Sequence, residues 1–195
     1  IRPPLLDLRG GLAVENAMKT AFDWKARALG RTDFADNVND LVIAHFDYAF
    51  HGRTGYTLSV TNTVPDKVGL FPKFDWPRFS SPACLFDNDG NISNNVEELE
   101  DITMKELEAY HAQSASNGKH IAGILIEPMQ GEGGDRHFRP EFFAKLREAA
   151  DRMEALLIFD EVQTGFFGSG KPWMWQHKDV EPDVVAFGKK AQVCG

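Results

Sequence analysis

Four short apolar runs, separated by amphipathic or turn-rich stretches, mark this chain as α/β, with a mainly parallel sheet and helical crossovers. The runs are residues 41–44 (LVIA), 123–126 (GILI), 156–159 (LLIF) and 184–187 (VVAF). Each is continuously apolar instead of alternating, the pattern of a strand covered on both faces. Three stretches have the spacing of helices that would supply the cover. Val14, Ala17, Ala21, Trp24 and Ala28, bordered by Met18, fall on one stripe after Gly10 and Gly11. Val96, Leu99, Leu107 and Tyr110 mark a second helix with a strongly acidic, solvated outer face, and Phe143, Leu146, Ala150 and Met153 mark a third that begins near Pro140. Residues 61–82, rich in Pro, Phe and Lys, show neither period and read as an ordered loop that buries aromatics.

Composition narrows the function classes. With 195 residues, 43% of them hydrophobic, the chain can bury a core as one domain. A net charge of −8 leaves no excess of cations to neutralise phosphates, so nucleic acid is not an expected partner. There is no 18-residue apolar run and no secretory pattern, so no membrane partner is expected either. Cys84 and Cys194 form neither a metal cluster nor a disulfide framework, which points to a reducing, cytoplasmic setting and to no metal.

The chemistry concentrates where two of the apolar runs end. The run 156–159 is followed by Asp160, Glu161 and Gln163, and the run 184–187 by Gly188, Lys189 and Lys190. In one parallel sheet both ends open on the same edge, where ligands of such sheets bind. A lysine amine forms a Schiff base with an aldehyde, and a carboxylate can keep a pyridine nitrogen protonated. That pair suits pyridoxal 5′-phosphate. A nucleotide hydrolase is the competing reading, since GFFGSGK at 165–171 approaches a phosphate loop. Pro172 stands where that loop needs a hydroxyl, however, and the loop follows the acidic strand instead of preceding it. Elsewhere the residues leave two readings open. Gly10 and Gly11 suit either a phosphate at a helix N-terminus or a plain loop-to-helix junction. Phe50 suits a ring-stacking aromatic or a core residue, Arg53 a carboxylate clamp or a solvated cation, and Glu132 a site carboxylate or an exposed one.

DEVQTG at 160–165 followed by PDVVAFGKK at 182–190 resembles the class III aminotransferases, pyridoxal phosphate enzymes of fold type I. FGKKAQVCG, FPKFDWP and GEGGDRHFR are similar to the lysine 6-aminotransferase branch of that class, and the likeness runs from about Gly10 to Gly195. Arg9, Asp47, Tyr48 and residues 166–172 depart from the usual pattern. The resemblance implies an α/β/α sandwich in which residues 1–195 form most of the cofactor-binding large domain, with small-domain segments beyond both ends. It implies that Lys189 carries the cofactor and moves the proton, with Lys190 a bystander, and that Asp160 keeps the ring nitrogen protonated. Val162 and Phe50 would sandwich the ring, Gln163 would bond its phenolic oxygen, and Gly10 and Gly11 would hold part of the phosphate. His51 would act from behind. Arg53 would grip the substrate α-carboxylate. Glu132 would pair with an arginine outside this chain while a diamine-type donor is bound, and swing away for a 2-oxo diacid. The implied reaction passes the ε-amine of L-lysine to 2-oxoglutarate, giving 2-aminoadipate 6-semialdehyde and glutamate, in a homodimer. Ornithine or 4-aminobutyrate as donor, or an inactive fragment, are the alternatives.

Overall fold

The computed structural model describes residues 8–33 and 35–195; residues 1–7, part of an N-terminal stretch to which the sequence assigns no role, lie outside them. The strands are β1 (Leu41–Phe46), β2 (Arg78–Phe79), β3 (His120–Ile126), β4 (Met129–Gln130), β5 (Arg136–His137), β6 (Leu156–Asp160) and β7 (Val184–Ala186). Five of them form one sheet in the order β2-β1-β3-β6-β7, every neighbouring pair parallel, while β4 and β5 form a small antiparallel hairpin. The helices are α1 (Leu8–Ala28), α2 (Pro65–Val68), α3 (Val96–Ser116) and α4 (Pro140–Arg152).

Side-chain alternation sorts the strand residues onto two faces. Ile43, Leu125 and Ile158 pack under α1 with Val14, Met18 and Ala21. Val42, Ala44, Ile124, Leu157 and Phe159 pack on the other face with Phe142, Phe143 and Leu146 of α4 and Leu107 of α3. This is the expected α/β/α sandwich. The alternation breaks once. The β1–β3 register shifts after Val42, and Ala122 and Gly123 both turn toward α1. A Cβ on Gly123 would lie 2.9 Å from Ile158 Cδ1 and 3.2 Å from Ala21, so glycine permits the bulge there.

Three expectations are corrected. Trp24 and Ala28 are exposed, and the inward position of the last turns of α1 belongs to Lys25, four residues beyond Ala21. Its ammonium donates to the carbonyls of Met153 (3.1 Å) and Glu154 (2.8 Å), closing the C-terminal end of α4. On α3, Leu99 is exposed, whereas Glu100 is buried and takes hydrogen bonds from Arg139 and Lys145. A buried carboxylate with two cationic partners does not register in a hydrophobic pattern. Within 61–82, α2 forms one helical turn and β2 adds a two-residue edge strand, both too short for a periodic signal.

His45 on β1 links the fold to pH. It is buried, and its Nε2 accepts from Arg78 Nε at 3.2 Å across the β1–β2 pair. Burial, and then the Arg78 charge, hold its pKa down at about 3 against 6.5. The folded state stays neutral while the unfolded chain takes up a proton. This contribution to stability is therefore complete above pH 6.5 and is lost as pH falls toward 3. His45→Gln is expected to flatten the fall in urea-unfolding free energy from pH 6.5 to 4, wild type being steeper by up to about 1.4 kcal/mol per pH unit; parallel profiles would contradict it.

Candidate active site at the carboxyl edge of the sheet

Three strand ends bring ionisable groups to one place. β6 closes on Asp160, a carboxylate 4% exposed, whose Oδ2 lies 2.8 Å from Nδ1 of the buried His51 just beyond β1. Its Oδ1 accepts from the Val162 amide at 3.0 Å. The His51 amide donates to Thr61 Oγ1, and its Nε2 is buried without a hydrogen-bond partner among the described residues. β3 runs on into Glu127, also buried, whose Oε1 accepts the Phe50 amide at 2.9 Å. Burial, and next the charge of Asp160, push the Glu127 carboxyl well above the usual range, while backbone hydrogen bonds from Phe50 and Gly131 and, least, the charge of Lys189 pull it back. The edge therefore presents one carboxylate braced by histidine and a second held toward its neutral form.

The two lysines after β7 diverge. Lys189 has φ 45° in a short 3-10 turn, is exposed, and donates its Nζ to the Gln163 side-chain carbonyl. Lys190 donates to the Gln163 backbone carbonyl and lines a cleft of about 440 Å³ with Met129, His137, Gln163, Thr164 and His177. Of the two, Lys189 is the one whose charge acts on Glu127.

The start of α1 lies across the same edge. Gly10 faces Val162 and Gly188: a Cβ there would fall 2.6 Å from Val162 Cγ1. Gly52, at φ 116°, approaches Gly11 so closely that a Cβ would lie 2.8 Å from its Cα. These glycines let backbone meet backbone. Both Gly10 and Gly11 lie in the first turn of α1, where helix amides lack partners within the helix, and a Cβ on Gly11 would lie 3.4 Å from Thr54 Cγ2. Glu132, on the β4–β5 turn, forms an ion pair with Lys67 of α2, and Lys67 Nζ also lies 5.5 Å from the centre of the Phe50 ring. Arg53 follows Gly52 directly. Its guanidinium is 5.9 Å from the Phe71 ring, and its buried Nε has no hydrogen-bond partner among the described residues.

Three further residues belong to this edge. Glu127 sits at the end of an apolar strand just as Asp160 does, and that signal was present in the sequence. Glu161, wholly buried, accepts from Thr164 Oγ1 (2.6 Å) and the amides of Met174 (3.0 Å) and Trp175 (2.8 Å), anchoring the loop that follows β6. That loop leads into a single 3-10 turn (Met174–His177), not the helix a nucleotide phosphate loop requires. Lys67 had no signal, because its partner lies 65 positions away.

The family model described as Aminotransferase class-III matches residues 7–195. The chain belongs to the class III aminotransferases. Among curated relatives of this class III chain, the L-lysine-epsilon aminotransferase of Mycobacterium tuberculosis is 50% identical over 199 residues, 99% of this chain and 42% of the relative. That of Amycolatopsis lactamdurans is 46% identical over 95% of this chain and 40% of the relative. A solved structure, lysine aminotransferase from M. tuberculosis in the internal aldimine form, superposes with a TM-score of 0.82 at 50% identity, covering 95% of this chain and 41% of that one. The chain thus spans about two fifths of the length of these relatives. Pyridoxal 5′-phosphate is the cofactor of this class. The residues present fit it: a braced acid for the ring nitrogen, an amine at the next strand end, and close glycines at a helix start.

Glu127 supplies a test of the site's electrostatics. Its folded pKa lies above the ordinary 4.5, so its contribution to stability is complete below that value and is lost as pH rises through the folded pKa. Glu127→Gln keeps an oxygen for the Phe50 amide and stays neutral. Thermal melts of the variant from pH 4.5 to 8 should lose less stability than wild type; an equal or greater loss would mean that Glu127 is ionised in the fold.

Proposed function

We propose that this chain forms most of the cofactor-binding large domain of a lysine 6-aminotransferase, with small-domain segments outside residues 1–195, in a cytoplasmic homodimer. The reaction passes the ε-amine of L-lysine to 2-oxoglutarate. The observation that carries the reading is the adjacency of β6 and β7, one ending in Asp160 braced by His51 and the other leading to Lys189. The half identity to L-lysine-epsilon aminotransferases supports the choice of donor.

When bound, pyridoxal phosphate supplies an aldehyde for the amine and a protonated ring that draws electrons from the carbon beside it. Lys189 would hold the cofactor aldehyde. Its Nζ would also be the base that takes the proton from the substrate ε-carbon. Asp160 would keep the ring nitrogen protonated, and the His51 hydrogen bond keeps the carboxylate aimed. Phe50 and Val162 would close on the ring's faces, and Gln163 would hydrogen-bond the phenolic oxygen. Gly10 and Gly11 offer amides to the phosphate, Arg53 grips the α-carboxylate and so presents the far amine, and Glu132 tells the two substrates apart by charge.

Borohydride reduction with pyridoxal phosphate, followed by peptide mapping, is expected to label Lys189 and leave Lys190 free. Lys189→Ala should lower kcat roughly 10²- to 10⁴-fold, the usual worth of a positioned acid–base group. A label on Lys190 would overturn the site, and faster turnover of ornithine than of lysine would overturn the donor.

A further inference from the structure

Between β1 and Phe50 the chain turns through Tyr48, a bulky residue at φ 63°. That left-handed conformation is strained for a residue with a Cβ of this size, so it persists only where the surroundings hold it. The surroundings here are the β4–β5 hairpin. Gln130 of β4 is buried and donates its Nε2 to the Asp47 carbonyl at 2.8 Å. Gly133, in the turn, packs so tightly on Tyr48 that a Cβ there would lie 2.1 Å from the Tyr48 carbonyl oxygen. Arg136 of β5 places its guanidinium carbon 3.9 Å from the centre of the Tyr48 ring. Its Nε is buried without a hydrogen-bond partner among the described residues, and the ring supplies the compensating attraction. Beyond Tyr48, Ala49 exchanges hydrogen bonds with Asn62, and the Phe50 amide reaches Glu127. Tyr48 departs from the usual class III pattern, and the chemistry of Asp160 and Lys189 does not explain the stack.

We propose that Arg136 is a positioning residue: by stacking on Tyr48 it holds the left-handed turn that sets Phe50 against the face of the cofactor ring. The inference rests on the reading of Phe50 as the ring-stacking aromatic. Phe50 follows Tyr48 by two residues, so a change of φ at Tyr48 swings the Phe50 side chain and displaces the amide that Glu127 accepts. The His51 imidazole, which braces Asp160, follows on the same segment. An extended φ at Tyr48 would relieve the strain, but it would carry this segment away from both buried acids. The stack opposes that change. Arg136 thereby acts on cofactor binding without touching the cofactor.

The test uses the full-length protein carrying this sequence, titrated with pyridoxal phosphate. The Kd and the induced circular-dichroism band of the bound cofactor are read beside kcat for L-lysine. Arg136→Met keeps most of the side chain's length and removes the planar cation. It should raise the Kd roughly two- to tenfold and weaken the induced band. Tyr48→Leu, which removes the ring and keeps the backbone strain, should do the same. Glycine adopts a φ of this kind without strain, so in a Tyr48→Gly background Arg136→Met should change the Kd by less than about twofold. A Kd and band unchanged in Arg136→Met, or a Kd raised as much in the Tyr48→Gly background as in wild type, would overturn the role of Arg136. Phe50→Leu separates this inference from the reading beneath it. If Phe50→Leu loosens the cofactor and Arg136→Met does not, only the role of Arg136 falls. If Phe50→Leu leaves the Kd and band at wild-type values, the placement of Phe50 falls and the inference with it.

Discussion

The site's geometry depends on the bond between Asp160 and His51. A carboxylate almost fully removed from water is costly unless each oxygen is hydrogen-bonded, and here one oxygen takes the imidazole and the other a backbone amide. The two residues lie 109 positions apart, so their contact requires β1, β3 and β6 to be in register. It is therefore a tertiary contact as much as a chemical one. Glu127, arriving between them on β3, cannot share the same charge in so dry a place, which is why its proton is held so strongly.

The sheet puts these groups together because it is parallel throughout. Each strand that runs out of apolar residues delivers a polar one to the same edge, and α1 brings the start of a helix to it as well. Close packing of backbone at Gly10, Gly11, Gly52 and Gly188 is what lets the helix start come so near. The bulge at Gly123 belongs to the same economy of space. It turns two successive residues of β3 toward α1, leaving Ile124 and Ile126 in the α4 core and Leu125 under α1.

Much of this was legible in the residues. The four apolar runs became β1, β3, β6 and β7 within two or three residues, because strands buried on both faces are written in apolar letters alone. Asp160 and Lys189 could be picked out since a polar residue directly after such a run has one edge to emerge on. Two of the misreadings share a cause: Lys25 and Glu100 are buried polar groups whose partners are carbonyls or cations on distant segments, and hydrophobic periodicity does not register such partners.

The sequence by itself determined the fold class, the positions of the four apolar strands and the residue types gathered at their ends, since these follow from local pattern and from the rule that parallel strands share a carboxyl edge. The tertiary structure alone decided which charges meet: His51 with Asp160, Lys67 with Glu132, Lys189 with the Gln163 side chain and Lys190 with its backbone. Electrostatics and hydrogen bonding act through space over a few ångströms, and separation along the chain carries no record of that distance.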